Sequence, residues 1–413
     1  MHMSVASVLL AAGLTLAPRA TFAESITLED ALRRAASRPT VAIVAAGREA
    51  ARGDARQAGS PLYNPTLEVS AGPRFSSGSV LPGVQIGLGQ TIELGGKRAA
   101  RGDAAQARLR VHDVAVGASA RLARLEAWRA FELAMVARLR VDATKEAEAT
   151  ALEIVSATEQ SQALGGETQL RINLAAADLG RSQHERADAE NAHATALAEL
   201  AAAIGARSHE RPEPATTDFR FPAAVASDDD ARARAVANRP ELAQARAELV
   251  AAGADVRAAD AVAVPDVTLG ITYGYDPDLD VKTHSLLFGA SVALPIRNRN
   301  QGARAASRAL ERRAKIETEW LVTEVERAAQ LAFDRYTRAH AALAAFSKDV
   351  SERLHENLQL ATDSYRAGKI DFYAFTLARR DLLANRLAYV DALDEAIEGW
   401  TELARAAALE VTP

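Results

Sequence analysis

Two halves of this sequence carry the same text. "SRPTVAIVAAGREAARGDARQA" from Ser37 resembles "NRPELAQARAELVAAGADVRAA" from Asn238, 201 positions later. "NPTLEVSAG" from Asn64 returns as "VPDVTLGIT" from Val264, 200 positions on, and "GGETQLRINLAAADL" from Gly165 as "GKIDFYAFTLARRDL" from Gly368, 203 positions on. Three offsets that agree this closely define a tandem duplication of one supersecondary unit, about 200 residues long, so any fold must be built twice over. The units are expected at 24–207 and 231–413. Between them, "SHERPEPATTDFRFPAAVASDDD" (208–230) has the Pro and Asp content of a linker.

Within each unit the hydrophobic period switches from helical to alternating and back. Unit one opens with a helix start at Thr27 and Asp30, a capping pattern, and a second helix begins at Pro39, where proline suits the first turn. After Pro65, Leu67, Val69 and Ala71 alternate with Glu68, Ser70 and Gly72; further on, Val84, Ile86 and Leu88 alternate with Gln85, Gly87 and Gly89. Unit two repeats this with Val267, Leu269, Ile271 and Tyr273, then Leu286, Phe288, Ala290 and Val292. Four strands are predicted, at about 65–75, 83–94, 265–275 and 284–294, in two hairpins. The remaining text is helical. No proline interrupts Ala99 to Gln160, long enough for roughly 90 Å of helix, and Leu343, Phe346, Val350, Leu354, Leu358, Ala361 and Tyr365 step by threes and fours as a coiled-coil seam does.

The only long apolar run is Ser4 to Ala17, followed by the small-residue site "ATFA" ending at Ala23. It is too short to span a bilayer as a helix and reads as the core of a signal peptide over 1–23, although its leading "MHM" lacks the usual Lys or Arg. There are no cysteines. That excludes a disulfide framework, a thiolate metal site, a nucleophilic Cys and a lipid anchor on a Cys. The formal charge of −5 gives no basic excess for a nucleic-acid partner.

A strand of about ten residues with one apolar and one polar face has the length and pattern of a transmembrane β-strand. Only a closed barrel satisfies such a backbone in lipid, and four strands cannot close one, since barrels begin at about eight. Strands that enter a membrane would therefore have to be shared among copies, and three copies supply twelve. An ordinary soluble hairpin in a small sheet is the competing reading of the alternation. The fold class expected is mainly α with a pair of transmembrane β-hairpins.

At this point the residues carry a resemblance. The doubled helix–strand–strand–helix unit, the hairpins at Pro65 and Pro265, and "SYRAGKIDFYAFTLARRDLL" (Ser364 to Leu383) resemble the TolC family of outer-membrane efflux channels over nearly the whole chain after residue 23. "QTIELGGKRAAR" (Gln90 to Arg101) and "LPIRNRNQGARAASRAL" (Leu294 to Leu310) are similar to the outer-membrane components of cobalt–zinc–cadmium efflux systems. The resemblance implies a TolC-like homotrimer in the outer membrane of a Gram-negative bacterium, with a twelve-stranded barrel and a long periplasmic α-helical tunnel. It also implies a periplasmic adaptor and an inner-membrane pump of the RND type as partners, outer-membrane lipid around the barrel, and heavy-metal cations as cargo. A channel for drug efflux or type I secretion stays open within the family. From another class, a soluble periplasmic coiled-coil adaptor or scaffold stays open too.

Candidate sites follow from this arrangement. Gly95 and Gly96 permit a sharp turn from strand to helix, and Lys97 and Arg98, with Arg101, sit at that border; Arg297, Arg299 and Arg304 sit at its counterpart. These cations are either a belt facing acidic head groups or ordinary solvated helix starts. By resemblance, the turns "ALGGE" and "RAGKID" form the tunnel tip and meet the adaptor, with Gly165, Gly166, Arg366, Gly368 and Lys369 as contact residues. Family members carry acidic residues six and nine positions after this glycine; here those are Ala374 and Leu377, so Asp371 is the constriction candidate, in competition with a plain helix-start role. Asp276, Asp278 and Asp280 form an acidic loop expected at the exterior. It departs from a calcium loop, with Val281 in place of the glycine and Leu287 in place of the bidentate Glu. "GGKR" is no phosphate loop, because Thr91 stands where its first glycine belongs and Arg98 replaces the Ser or Thr. His184 and His193 are nine apart and poorly placed to chelate together. No catalytic, cofactor-binding or metal-binding set is expected, and passive conduction is the function the residues favour.

Overall fold

The computed structural model describes residues 24–411 except 77–78, 164–167, 208–209, 217–218, 220, 278–281 and 347. Unit one comprises β1 (Glu24–Ile26), α1 (Leu28–Ala36), α2 (Pro39–Ala58), β2 (Thr66–Ser76), β3 (Ser79–Ile92), α3 (Lys97–Ala163) and α4 (Gln169–Ala203). After β4 (Pro212–Pro214), unit two gives α5 (Asp228–Asn238), α6 (Pro240–Ala261), β5 (Val267–Pro277), β6 (Lys282–Val292), α7 (Gln301–Ala345), α8 (Lys348–Arg366) and α9 (Phe372–Ala406). The doubling in the sequence is thus a doubling of structure: short helix, longer helix, hairpin, long helix, return helix.

Local chemistry sets the starts. Thr27 Oγ1 accepts a hydrogen bond from the Asp30 amide at 3.2 Å and caps α1, Ser227 does the same for α5, and Pro39 and Pro240 occupy the first turns of α2 and α6. With 67 residues free of proline, α3 runs unbroken for about 100 Å. Its counterpart in unit two is interrupted. The seam read through Leu343 and Phe346 as one helix breaks there: α7 ends at Ala345, and Phe346 leaves the helical region at φ −89°, ψ 69°. No proline or glycine marks this break in the sequence.

Four strands form one antiparallel sheet in the order β2–β3–β5–β6, and the helices repeat that order, α2 on α3, α3 on α6 and α6 on α7. Further from the sheet, α4 lies on α3, α3 on α9 and α9 on α7. The chain is therefore a continuous wall, with unit one at one edge and unit two at the other. Alanine makes the wall thin: Ala104 and Ala107 of α3 meet Ala251 and Ala254 of α6, so the helices approach closely. The main core lies mid-wall, where α1 and the two-stranded β1–β4 sheet cover α3, and α5 covers α7 beside α9. Trp128 and Trp400 pack there with centroids 4.3 Å apart, and Trp400 Nε1 donates to the Pro222 carbonyl at 3.1 Å. One carboxyl is buried in this region: Glu132 is 4% exposed, with no hydrogen-bond or ion-pair partner among the described residues, and burial pushes its pKa up to about 8.

Candidate functional site

The sheet has two unlike faces. Register places Leu67 opposite Leu88, Val69 opposite Ile86, Leu88 opposite Ile271, Ile86 opposite Tyr273 and Ile271 opposite Phe288, so one face is apolar from edge to edge. Those side chains are exposed, Phe75 and Phe288 each by 78%. The other face carries Glu68, Ser70, Gln85, Thr91, Thr268, Thr272 and several glycines, with Leu81 and Leu287 as apolar exceptions. Among the described residues no helix packs extensively on either face; the extensive contacts of these strands are with one another. An uncovered apolar face of this size is unstable in water and stable in lipid. Strands of 11 residues reach about 36 Å, enough to cross a bilayer when tilted. No helix is long and apolar enough to cross a membrane among the described residues.

The strand limits differ from the alternation in two informative places. β3 begins at Ser79 instead of 83, because Pro82 pairs opposite Pro73 without ending the ladder. β6 ends at Val292 instead of 294, because its partner β5 begins at Val267, leaving Leu294 and Ile296 without a strand to pair with.

At the border between sheet and helices, unit one is tied down by charge. Gly95 and Gly96 adopt φ of 70° and 71°, and a Cβ on Gly95 would sit 2.6 Å from Cβ of Val264, so only glycine fits this turn. Lys97 Nζ lies 2.7 Å from Asp266 Oδ1, and Tyr63 donates to the other oxygen at 3.3 Å. Arg101 reaches Glu93 at 2.6 Å and the carbonyls of Ala58 and Ser60, and Arg98 Nε donates to the Gly59 carbonyl at 2.5 Å. The Arg101 hydrogen bond holds the Glu93 carboxyl below its ordinary pKa; burial opposes the same shift at Asp266, but Lys97 prevails. The cations Lys97, Arg98 and Arg101 are thus engaged within the chain. In unit two, Arg304 and Arg308 share Asp260, at 2.5 and 3.3 Å. Arg297 and Arg299 have no carboxylate partner among the described residues; Arg299 Nε donates to the Pro295 carbonyl at 3.1 Å.

At the far end, Gly165 and Gly166 lie outside the described residues. Gly368 turns the chain with φ 66°, and the Lys369 amide returns to the Ser364 carbonyl at 2.8 Å, a closure that favours glycine. Lys369 is exposed, and Arg366 lies 3.4 Å from Glu153. Asp371 is the N-cap of α9, its Oδ1 accepting from the Ala374 amide at 2.7 Å. Asp276 stands at the end of β5 opposite Thr283, whereas Asp278 and Asp280 lie outside the described residues.

Periodicity alone did not reveal a buried charge cluster near this tip. Asp178 of α4 pairs with Arg379 of α9, both about 5% exposed, and also meets Arg181 and Arg380. Arg379 Nη1 donates to the Ala147 carbonyl of α3 at 2.8 Å, so three helices are joined at one point. A charge inside the Ala-rich stripe of α4 was the available signal. Higher up, a groove of about 770 Å³ between α3, α4 and α9 is lined by Arg129, Arg140, Glu185, Asp188, Asp394 and Glu398. Arg129 Nε holds Glu398 at 2.8 Å, and Asp394, raised chiefly by burial to about 6, lies 3.6 Å from Arg140. This is a charged wall surface of mixed sign. No group of His, Asp and Glu able to hold a metal ion occurs among the described residues.

Known proteins share this design. The sequence profile of the outer membrane efflux protein family matches twice, over 32–206 and 231–409. The cobalt-zinc-cadmium resistance protein CzcC of Cupriavidus metallidurans is 25% identical over 321 residues, covering 76% of this chain and 74% of CzcC. Among solved structures, a membrane protein from Pseudomonas aeruginosa superposes with a TM-score of 0.72 at 19% identity, over 92% of this chain and 93% of that one. The outer membrane protein VceC of Vibrio cholerae gives 0.69 at 18% identity, over 92% and 95%. An open two-faced sheet, a doubled helical wall and a twofold family match agree: the chain belongs to the outer membrane efflux protein family.

Proposed function

We propose that three copies of this chain close one twelve-stranded barrel in the outer membrane and one helical tunnel beneath it, forming the passive exit duct of a tripartite efflux pump. The observation that carries this reading is the four-stranded sheet with an exposed apolar face and two unpaired edges, β2 and β6. Such edges are stable in lipid only when every backbone group finds a partner, which a closed ring of copies supplies. The helical wall has matching edges, because α2 and α4 follow the β2 side and α7 the β6 side. Each copy then joins the next head to tail, and a ring is the closed form of such a contact.

In this reading residues 1–23 are a signal peptide, 24–207 and 231–413 are the two units, and 208–230 joins them. The tip turns, with Gly165, Gly166, Arg366, Gly368 and Lys369, meet a periplasmic adaptor that links the duct to an RND-type pump of the inner membrane. Asp371 lies at the tip as a capping residue, and a ring of three such carboxylates lines its opening. Asp276, Asp278 and Asp280 form an acidic exit loop.

Divalent heavy-metal cations are the proposed cargo, supported by the similarity to CzcC. Growth of a strain lacking the protein, with and without complementation, tests this across zinc, cobalt, cadmium and nickel and across dyes and antibiotics. Sensitivity restricted to the metals is the expected result. Sensitivity restricted to organic compounds would reject the metal assignment in favour of drug efflux.

A further inference from the structure

The two units leave their hairpins with different chemistry. Gly96 at φ 71° and Asn300 at φ 57° are both left-handed and directly precede α3 and α7, so the turns that they close correspond at an offset of 204 positions. By that offset Glu93 of unit one becomes Arg297 of unit two, and Gly95 becomes Arg299. Where unit one has an acid and a glycine, unit two has two cations.

The unit-one turn is balanced inside the chain. Glu93 holds Arg101 and accepts from the Leu62 amide at 3.2 Å, while Asp266 holds Lys97 and accepts from the Leu94 amide at 3.2 Å. The unit-two turn, 293–300, is not. Arg297 is exposed, with no hydrogen bond or ion pair from its side chain among the described residues. Arg299 engages only its Nε, on the Pro295 carbonyl at 3.1 Å, which leaves both Nη groups without a partner among the described residues. Leu294 and Ile296 stand between Val292, where the β6 ladder stops, and these cations, and they are 72% and 74% exposed.

The backbone beneath them is fixed. The Ile296 amide closes a tight turn on the Leu294 carbonyl at 2.9 Å, the Gln301 side chain accepts from the Arg299 amide at 2.8 Å, and Asn300 Nδ2 donates to the Ala259 carbonyl of α6 at 2.8 Å. Two apolar side chains and two unpaired guanidinium groups are thus presented together on a preorganised support.

From this juxtaposition we infer that the 293–300 turn anchors anionic phospholipid of the periplasmic leaflet, with Leu294 and Ile296 among the acyl chains and Arg297 and Arg299 on head-group phosphates. The inference rests on the membrane placement and the ring read above, and adds a binding surface and the class of lipid that it takes. Position supports it first. Val292 belongs to the apolar face of the sheet, and the turn follows it directly on the side of the helices, the depth at which hydrocarbon gives way to head groups. Chemistry supports it next. Exposed Leu and Ile side chains gain by leaving water, and a neighbouring arginine reaches outward to phosphate, whose oxygens its forked N–H groups bind in pairs.

A neighbouring copy does not supply the missing counter-charge here. In the closed ring the β6 edge faces the β2 edge of the next copy, and the segment leading into that strand, 59–66, carries no acidic residue. A phosphodiester carries the charge that both cations lack. A zwitterionic lipid brings an ammonium group to the same place, so net negative lipid is favoured.

Native mass spectrometry of the purified full chain tests this, because it reads particle mass and retained lipid together. The particle is equilibrated in detergent with equal amounts of dioleoylphosphatidylglycerol and dioleoylphosphatidylcholine. Wild type is expected to retain phosphatidylglycerol in preference. A cation near a lipid surface contributes about fivefold in affinity for anionic lipid, so R297Q with R299Q is expected to lower that retention at least about fivefold at unchanged particle mass. R312Q with R313Q makes the same change of charge about three turns along α7 and is expected to leave retention unaltered. Equal retention of the two lipids by the wild type, or a preference that survives R297Q with R299Q, would overturn the inference and leave the ring standing. Loss of the three-copy mass in R297Q with R299Q, with the lipid preference kept, would overturn it by assigning the turn to the contact between copies. A single-copy wild-type particle whose preference depends on the two arginines would remove the ring and leave the anchor.

Discussion

Asp178→Ala is expected to lower the thermal unfolding midpoint of the detergent-solubilised protein more than any other single surface-to-core change near the tunnel tip. Arg379 is about 5% exposed, and Asp178 is the only carboxylate recorded beside it among the described residues. Removing one member of a buried ion pair leaves an uncompensated charge, with a typical loss of about 3–5 kcal/mol. Here the loss is larger in kind than a broken contact, because Arg181 and Arg380 share the carboxylate's other oxygen, Oδ1, and would then repel Arg379 across the gap. The expectation is specific to charge. Replacing both partners, Asp178→Leu with Arg379→Leu, removes the buried arginine along with its partner and should recover most of the midpoint, since well-packed apolar pairs commonly substitute for buried ion pairs. A double variant as unstable as Asp178→Ala would show that packing, and not charge, governs the site.

Glu132 supplies the second large effect, with the opposite sign. In an unfolded chain this carboxyl ionises near 4.5, whereas burial in the mid-wall core lets it keep its proton up to about 8. Between these values the folded state binds more protons than the unfolded state, so stability falls as pH rises, at up to about 1.4 kcal/mol per unit. The neutral amide of Glu132→Gln escapes this loss. The variant should unfold at nearly the wild-type temperature at pH 4 and at a clearly higher one at pH 9, with the gap opening through the range between. Parallel curves for the two proteins across that range would mean that Glu132 is not held neutral by the fold.

The sequence made the architecture legible because duplication and strand alternation are local and periodic. Pro65 and Pro265 announce the hairpins, and paired glycines at 95 and 96 announce the turn that their positive φ values make. Other features depend on residues distant in sequence. Lys97 and Arg101 read as a basic border until Asp266 and Glu93 are seen beside them; Asp178 and Arg379 are some 200 positions apart and belong to different units. The break after Ala345 carries no helix-breaking residue, so a coiled-coil period runs straight through it. Glu132 is one acid among many until its burial is known. Asp371 shows the limit from the other side: its spacing after Gly368 admits either a constriction or a helix start, and the structure records it capping α9.

The sheet edges lead to the most direct test of the channel. The mass of the particle extracted from the outer membrane in mild detergent, measured with the bound detergent accounted for, reports how many copies close the barrel. Three copies is the expected result. A stable particle of one or two copies would contradict it, because four or eight strands of this register with an apolar rim would have to close without the edges meeting as the repeat requires.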